Sequence, residues 1–509
     1  MSYPTRPRAA TIAGLLAGQD GSLPALRSES GARMSYAELR CQAEQTAAAL
    51  SAGGIGRGDP VAMVLENGPH MAAAFVAVAA AAAAAPLHPG LREREIRDSL
   101  QSLRARALIV AAGSDTPATA VAQQLCIPIL QLEAINSAGE FRLVGGPASG
   151  GNTPDAARPE DTALLLHTSG TTAKPKLVPL TQGNLAASAA NIASTLRLGP
   201  EDTCLNIMPL FHIHGLIGAL LSSLCAGASV VATPGFAPMR FFKWLDESRP
   251  TWYSAVPTMH QAILQRSARN PASLAQSQLR LIRSSSAALP PSVLTALEGA
   301  FRCPVVESYG MTEASHQMAS NPLPPAVRKP GTVGLAAGPE VAIMDGAGSL
   351  LSVGATGEVV IRGENVMAGY VDNPQANASA FHGQWFRTGD QGVCDSDGYF
   401  TITGRLKELI NRGGEKISPR EIDEALLEHP AVAQAVAFAM PHPKLGEEVA
   451  AAVVLEEGSD LTQRALGQFA SERLASHKVP RVVRFVEAIP KGPSGKLKRV
   501  GLAKDLGLG

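Results

Sequence analysis

Apolar, β-branched segments alternate with alanine- and leucine-rich segments of helical character through residues 1–300. Each apolar segment is short and is followed by polar or helical sequence. Such alternation is typical of parallel sheets covered by helices. We therefore predict an α/β fold, most clearly at the segments "PVAMVLENG", "ALIVAAG", "ASVVATPG" and "WYSAVPT".

Residues 71–90, "MAAAFVAVAAAAAAAPLHPG", contain an apolar run of fifteen residues from Ala72 to Pro86. A helix needs roughly 20 apolar residues to cross a bilayer, so the run is too short. We predict a buried helix of the α/β layers, whose alanines allow close packing.

The composition and residue pattern of the sequence change along the chain. Residues 136–161 are rich in Gly, Pro, Ser and Ala, which predicts a surface connection between two α/β units. After Pro330, short strands with tight turns predict a small antiparallel sheet or β-barrel. The charged, mixed sequence of residues 408–509 predicts a separate, small α+β domain.

An amphipathic helix is predicted over residues 418–429 of this last part. Ser418 is followed by Pro419, and Glu421 stands three residues after the serine. This spacing predicts that Ser418 and Glu421 form a capping box at the start of the helix.

Composition is that of an ordered globular protein. Of 509 residues, 45% are apolar and 17% are charged, and the length predicts two to four domains. A formal net charge of zero argues against binding nucleic acid through bulk charge. The six cysteines lie far apart without a CxxC pair, and the N-terminus lacks a secretory core. Both features predict a reduced, intracellular protein.

The segment "HTSGTTAKPK", residues 167–176, follows an apolar strand and combines a glycine with hydroxyls and lysines. Its order differs from a Walker A loop. The glycine permits close approach of the backbone, the hydroxyls donate to oxyanions, and the lysines supply charge. A solvated Ser/Thr turn is the alternative, but the whole string favours a phosphate loop. The predicted contacts are Thr168, Ser169, Gly170, Thr171, Thr172, Lys174 and Lys176.

Seven motifs follow one another along the chain. They are "TSGTTAKPK", "MPLFHIHG", "SSSAALP", "SYGMTEA", "WFRTGD", "GRLKELINRGGEKISPREID" and "PKGPSGK". Together they resemble the adenylate-forming superfamily, which contains acyl-CoA synthetases, luciferases and peptide-synthetase adenylation domains. The resemblance covers nearly the whole chain. One departure is Ala173, where many relatives carry a second glycine.

The resemblance implies an adenylation domain over residues 1–406 and a mobile domain over 408–509, with a hinge at Lys407. It also implies that ATP, Mg²⁺ and coenzyme A are used to convert a carboxylate into an acyl-adenylate and then a thioester. Gly413 and Gly414, which lack side chains, would line the tunnel for the pantetheine arm.

The resemblance assigns roles around the nucleotide. Thr312 would contact phosphate and Glu313 would hold Mg²⁺, a cation that prefers oxygen ligands. Asp390 would accept both ribose hydroxyls, and Arg405 would contact ribose or phosphate. His212 joins the catalytic group as a gate or packing residue. The implied adenine-binding residues are Ser286, Ala287, Ala288, Ser308, Tyr309 and Gly310, with Tyr309 stacked on the base.

Residues 311–325 and 164–185 resemble the oxalate–CoA ligase branch of the superfamily, where the second glycine is also missing. The family pattern places His214 and His316 beside the acid, and both can donate hydrogen bonds to an anion. Packing in the core is the alternative role for either histidine. No arginine clamp is evident, although Arg283 is a candidate. Malonate and other short or medium-chain acids remain alternatives to oxalate.

Other classes stay open. A luciferase-like mono-oxygenase shares the adenylation chemistry, a carrier-loading module would need a carrier domain, and a nucleotide-binding protein without catalysis would lack key residues. Free CoA is the expected acceptor, with no nucleic-acid partner and no membrane span. The C-terminal "KDLGLG" is not a peroxisomal SKL-type signal, so we expect a cytoplasmic protein. The oligomeric state is open.

The resemblance places Lys496 beside the reacting carboxylate and the α-phosphate. Adenylation brings two anions together, so a positioned cation stabilises the transition state. We expect Lys496→Ala to slow adenylate formation by about 10²–10³-fold, and to leave thioester formation from preformed adenylate nearly unchanged. Single-turnover kinetics of each half-reaction measure both effects. Equal slowing of the two steps would contradict this role.

Overall fold

In the computed structural model, which describes residues 9–146, 155–168, 175–491 and 497–509, the strands form four sheets. Two large mixed sheets lie in the first part of the chain. Helices cover them, and the third and fourth sheets follow in sequence order. This arrangement confirms the predicted α/β class.

The first sheet has seven strands among the described residues, and its five central strands are parallel. An antiparallel strand closes each edge. In order across the sheet, the strands are Phe141–Val144, Ile129–Ala134, Ala107–Ala111, Pro60–Val64, Ala83–Pro86, Thr162–Thr168 and Lys176–Thr181.

The second sheet has nine described strands, six of them parallel. Its antiparallel strands lie at the two edges. In order, the strands are Leu335–Ala336, His316–Ser320, Val305–Met311, Leu281–Ser284, Trp252–Ala255, Thr203–Asn206, Ser229–Ala232, Pro24–Arg27 and Arg33–Ser35.

Helices of the first part connect and cover these strands, and several begin with local signals. Ser35 and Glu38 form a capping box at one start, and Thr181 caps another. The helices are Ile12–Ala17, Tyr36–Ala52, Pro69–Ala79, Glu93–Leu103, Pro117–Gln124, Gln182–Thr195, Ser222–Cys225, Phe241–Ser248, Pro257–Ser267, Pro271–Gln276 and Pro291–Phe301, with a π-helix at His214–Leu221 and a 3₁₀ turn at Thr312–Ala314.

The alanine-rich run forms two elements where we predicted one helix. Its first half is the helix Pro69–Ala79, which is buried from Met71 onward and packs in one core with strands of both large sheets. Its second half, Ala83–Pro86, is a central strand of the first sheet. Alanine fits either element, so composition alone did not separate them. No described helix is both long and apolar enough for a membrane crossing.

The predicted surface connection at residues 136–161 contains an edge strand, Phe141–Val144, that pairs with Ile129–Ala134. Its residues 147–154 lie outside the described residues. The connection is therefore partly built into the first sheet.

The third sheet is antiparallel and has five described strands. For the segment after Pro330 we predicted a small antiparallel sheet or a β-barrel, and the structure shows the sheet. Its strands are Glu340–Met344, Thr356–Arg362, Phe381–His382, Trp385–Cys394 and Phe400–Arg405, and the helix Pro374–Ala380 precedes one of them.

The fourth sheet contains only later residues. Its strands are Ile410–Arg412, Glu415–Ile417, Val432–His442, Gly446–Leu455 and Val482–Phe485, with helices Pro419–Leu427, Gln463–Ser471 and Leu502–Asp505. Lys407 lies in a turn between the last strand of the third sheet and the first strand of the fourth. The domain boundary and the hinge at Lys407 stay predictions.

The predicted capping box at Ser418 does not form, although the helix itself begins at Pro419. The Ser418 hydroxyl donates instead to the carbonyl of Thr403 in the third sheet. The Glu421 carboxylate accepts from Lys478 Nζ at 2.7 Å. Both side chains of the predicted capping box, Ser418 and Glu421, therefore bond to residues distant in the sequence.

Glu307, in strand Val305–Met311, is buried and accepts a hydrogen bond from the backbone of Gly331 at 3.2 Å. Burial raises the pKa of Glu307 to about 8, while Arg420 lowers it and Glu424 raises it. The folded state therefore holds this proton more tightly than the unfolded chain does. The stabilisation is complete below the ordinary pKa of 4.5 and is lost as pH rises to about 8.

Consequently, we expect the free energy of unfolding to fall with pH in this window, by up to about 1.4 kcal/mol per pH unit. Glu307→Gln should remove that slope. Urea unfolding between pH 5 and 8.5 measures it, with Glu340→Gln on an exposed ion pair as control. An unchanged slope in Glu307→Gln would contradict the assignment.

Candidate active site

His214 is the first residue of the π-helix, and its ring is buried between two strand ends. Its Nε2 lies 2.6 Å from the hydroxyl of Ser254, and its Nδ1 lies 3.1 Å from the hydroxyl of Ser286. Both ring nitrogens thus have hydroxyl partners. π-Helical turns are uncommon and occur frequently at functional sites.

His316 lies across from His214, with the ring centroids 4.9 Å apart. It is 2% exposed, and both it and Ser315 have positive φ angles, 103° and 51°. Non-glycine residues in this region cost energy and occur at functional sites. The two histidines predicted to face the acid are therefore brought together.

Arg283 lies behind this pair and is fully buried. One guanidinium nitrogen, Nη2, is 3.3 Å from His316 Nδ1 and 3.0 Å from Gln317 Oε1, and Nη1 is 3.3 Å from the carbonyl of Gly218. Burial lowers the pKa of Arg283 to about 9, so the side chain stays charged at neutral pH.

Tyr309, Asp390 and Arg405 form a connected group. The Tyr309 hydroxyl donates to one oxygen of the buried Asp390 carboxylate, and Arg405 Nε donates to the other at 2.8 Å. Asp390 and Arg405 are opposite each other on adjacent strands of the third sheet. Burial, with the Asp390 charge, raises the pKa of Tyr309, so the phenol stays protonated.

Glu313 is buried in the 3₁₀ turn that Thr312 begins. Its carboxylate accepts a hydrogen bond of 2.9 Å from Tyr370, whose ring lies 4.4 Å below Lys176 Nζ. Burial raises the pKa of Glu313, while Tyr370, Arg405 and Lys176 lower it. A bound cation at this carboxylate would offset its desolvation.

Small residues surround the strand ends where adenine was predicted. Ser286 is half-buried with a φ of 74°, and Ala287 and Ala288 are exposed. The Ser308 hydroxyl donates to the carbonyl of Ser284 at 3.3 Å. Gly310 is required here, because a Cβ at this position would lie 1.8 Å from the carbonyl oxygen of His316.

His212 lies close to Phe211, whose ring centroid is 4.7 Å away. Phe211 in turn contacts His88 at 4.5 Å. His212 therefore packs in an aromatic cluster, and its role as a gate stays a prediction.

Six predicted residues lie outside the described residues: Ser169, Gly170, Thr171, Thr172, Lys174 and Lys496. The ends of the predicted phosphate loop are described. Thr168 and Lys176 pair across two antiparallel strands at the edge of the first sheet. The roles of all these residues stay predictions.

Gly413 and Gly414 form the turn of a hairpin between strands Ile410–Arg412 and Glu415–Ile417. Their φ angles are 60° and 97°, which glycine adopts without strain. The hairpin is anchored by Arg412, which donates to Glu448 at 2.7 Å. The tunnel role of the two glycines stays a prediction.

Several contacting residues were not found from the sequence. Ser254 holds His214, Tyr370 holds Glu313, and Gln317 holds Arg283. Of these, Ser254 gave a usable signal, because it is a polar residue inside the apolar strand "WYSA". The importance of the other two follows only from the tertiary structure.

Comparison with known proteins assigns the chain to a family. Residues 16–371 match the AMP-binding enzyme model, and residues 421–496 match the model of the AMP-binding enzyme C-terminal domain. The chain belongs to the family of AMP-binding enzymes.

Individual relatives are similar over most of their length. An oxalate–CoA ligase of Arabidopsis thaliana is 43% identical over 96% of this chain and 97% of its own. An oxalate–CoA ligase of Saccharomyces cerevisiae is 42% identical over 89% and 88%. A sulfoacetate–CoA ligase of Cupriavidus necator is 35% identical over 97% of both chains.

Solved structures share the fold. ATP-bound MatB of Rhodopseudomonas palustris has a TM-score of 0.87 at 28% identity and covers 98% of both chains. The MenE o-succinylbenzoate–CoA synthetase of Bacillus subtilis, in complex with ATP and magnesium ion, has a TM-score of 0.82 at 28% identity, covering 96% and 98%.

Two substitutions separate the two functions expected of Tyr309. Tyr309→Phe keeps the ring but removes the hydrogen bond to Asp390, so we expect the KM for ATP to rise only about fivefold. Tyr309→Ala also removes the stacking surface, which should raise the KM for ATP by about tenfold more. Steady-state kinetics with varied ATP measure both values. Equal KM values for the two variants would contradict a stacking role.

Proposed function

We propose that this chain joins oxalate to coenzyme A at the expense of ATP. The chain is an acid–thiol ligase of the AMP-forming type. In the first half-reaction a carboxylate oxygen attacks the α-phosphorus of ATP, giving an acyl-adenylate and pyrophosphate. In the second, the CoA thiol attacks the acyl carbon, giving the thioester and AMP.

Residues of the nucleotide site fit these steps. We assign the ribose hydroxyls to Asp390, whose carboxylate Tyr309 and Arg405 orient, and the base to Tyr309 and the small residues at the strand ends. These contacts hold the α-phosphorus in one position while the acid approaches.

Mg²⁺ suits Glu313. No group of three or more potential metal-ligating side chains was found in the part of the chain that the structure describes. Mg²⁺ typically takes one or two protein carboxylates and completes its shell with phosphate and water oxygens, so a single buried glutamate fits it. When bound, the ion neutralises charge on the phosphates. Tyr370 holds the Glu313 carboxylate in place.

The observation that carries the choice of oxalate is the pair of facing imidazoles, His214 and His316, in a buried setting of serine hydroxyls. Hydrogen-bonding side chains on a small, polar wall suit a short acid with a second anionic group better than they suit an apolar acid. Relatives named for oxalate and for sulfoacetate support this choice, since both acids are short dianions.

The second half-reaction needs a different face of the small domain. We propose residues 1–406 and 408–509 as the two domains, with rotation about Lys407 bringing the Gly413–Gly414 hairpin to the site. We also propose a cytoplasmic location, which the six cysteines support because none is in a disulfide and thiols stay reduced there.

One exchange assay tests the function. Labelled pyrophosphate should enter ATP when purified protein, Mg²⁺ and oxalate are present, and added CoA should then yield oxalyl-CoA. Malonate, acetate and benzoate should support slower exchange. Exchange that is absent with every acid would reject the ligase, and faster exchange with another acid would reject oxalate.

His316→Ala should raise the KM for oxalate by about tenfold or more and change the KM for ATP little, because the lost donor faces the acid. Steady-state kinetics with each substrate varied in turn measure the two KM values. His429→Ala is the control, since that histidine packs on Phe469 in the C-terminal part. Similar increases in both KM values for His316→Ala would remove this residue from the acid pocket.

A further inference from the structure

Arg283 is a buried cation without an anionic partner in the described part of the chain. It is the third residue of strand Leu281–Ser284 and is 0% exposed. No carboxylate of the described residues lies within ion-pair distance of it, and its Nε–H has no hydrogen-bond partner among them. Burying a charge in this way is costly unless something compensates for it.

The contacts of Arg283 point toward the acid pocket. Its register partner on the neighbouring strand is Ser254, so both side chains lie on one face of the sheet. Ser254 contacts His214, and Arg283 contacts His316. The two strands thus support the two histidines from the same side.

The contact with Arg283 fixes the protonation of His316. A guanidinium has donors and no acceptor, so His316 Nδ1 must accept the hydrogen bond from Nη2. In the neutral ring the proton is then on Nε2. Arg283 therefore makes His316 Nε2 a donor.

Gly218 allows these three side chains to converge. A Cβ at Gly218 would lie 2.9 Å from His316 Nε2, 3.1 Å from Arg283 Nη1 and 3.1 Å from His214 Cδ2. The π-helix turns the bare Cα of Gly218 toward them, and its carbonyl accepts from Arg283. A larger residue would push at least one of the three away.

We propose that Arg283 is the positioning residue for the non-reacting carboxylate of a short dianionic acid, acting by fixing the donor tautomer of His316 and by supplying the uncompensated charge behind it. This inference rests on the proposed function. Gly218 also belongs to this arrangement, because it permits the close approach of the arginine to both histidines.

The first test compares Arg283→Met, which keeps the aliphatic stem, with Arg283→Lys, which keeps the charge but loses the forked donors. Arg283→Met should raise the KM for oxalate about 10- to 100-fold with the KM for ATP nearly unchanged, and Arg283→Lys should fall between it and the wild type. Equal increases in both KM values, or none, would overturn the proposal in favour of a purely structural arginine.

Arg280→Met is the matched control. Arg280 lies three residues earlier and pairs with the buried Asp202 at 2.6 Å, away from the histidines. Its loss should lower the melting temperature and leave the ratio of the two KM values unchanged. A raised ratio in Arg280→Met would show that destabilisation alone produces the effect and would overturn the proposal.

The tautomer is tested on the wild-type protein. In ¹⁵N-labelled histidine spectra, assigned by His316→Gln, the His316 ring should carry its proton on Nε2, with an unprotonated Nδ1. A proton on Nδ1 would overturn the proposal whether or not the Arg283 variants fold. If Arg283→Met fails to fold, Gly218→Ala is measured in its place. The added methyl group should displace one of the three side chains and raise the KM for oxalate, so an unchanged KM would overturn the proposal.

The acids that the wild type activates separate the proposal that the substrate is oxalate from the proposal about Arg283. If the wild type prefers another short dianion to oxalate, the proposed acid is wrong, and the Arg283 test proceeds with that dianion. If it activates monocarboxylates and no dianion, the inference about Arg283 is wrong although the chain is still an acid–CoA ligase.

Discussion

The proposed acid pocket depends on a positive charge that the fold buries inside the second sheet. Arg283 donates hydrogen bonds to neutral groups, the carbonyl of Gly218 and the side chains of His316 and Gln317, and no carboxylate of the described residues lies beside it. These neutral partners accept from its two Nη atoms without cancelling its charge. The region therefore keeps a positive potential, strengthened by the low dielectric of the interior.

Sheet register places the rest of the site around this charge. Strand Trp252–Ala255 brings Ser254 opposite Arg283, and strand Val305–Met311 leads through the tight approach at Gly310 to His316. Asp390 and Arg405 face each other across two strands of the third sheet and meet Tyr309. Ser254 and Arg283 lie near the carboxyl ends of parallel strands, the place where open α/β sheets usually bind ligands.

Much of this was predictable from the sequence, and the failures have physical causes. The strand–helix alternation indicated the α/β layers because parallel strands are buried on both faces. The alanine run could not be divided, because alanine packs equally well in the helix Pro69–Ala79 and the strand Ala83–Pro86. The capping box predicted at Ser418 does not form, because Ser418 bonds to Thr403 and Glu421 bonds to Lys478. Arg283 could not be placed, since its partners are distant in the chain.

The central claim is that the charge of the second carboxylate is recognised, and oxamate tests it most directly. Oxamate has the size and shape of oxalate but carries a neutral amide in place of one carboxylate. Measuring kcat/KM for both acids in the adenylation step should show oxalate preferred by about 100-fold or more, as expected when a buried cation loses its charged partner. Equal values for the two acids would contradict the account.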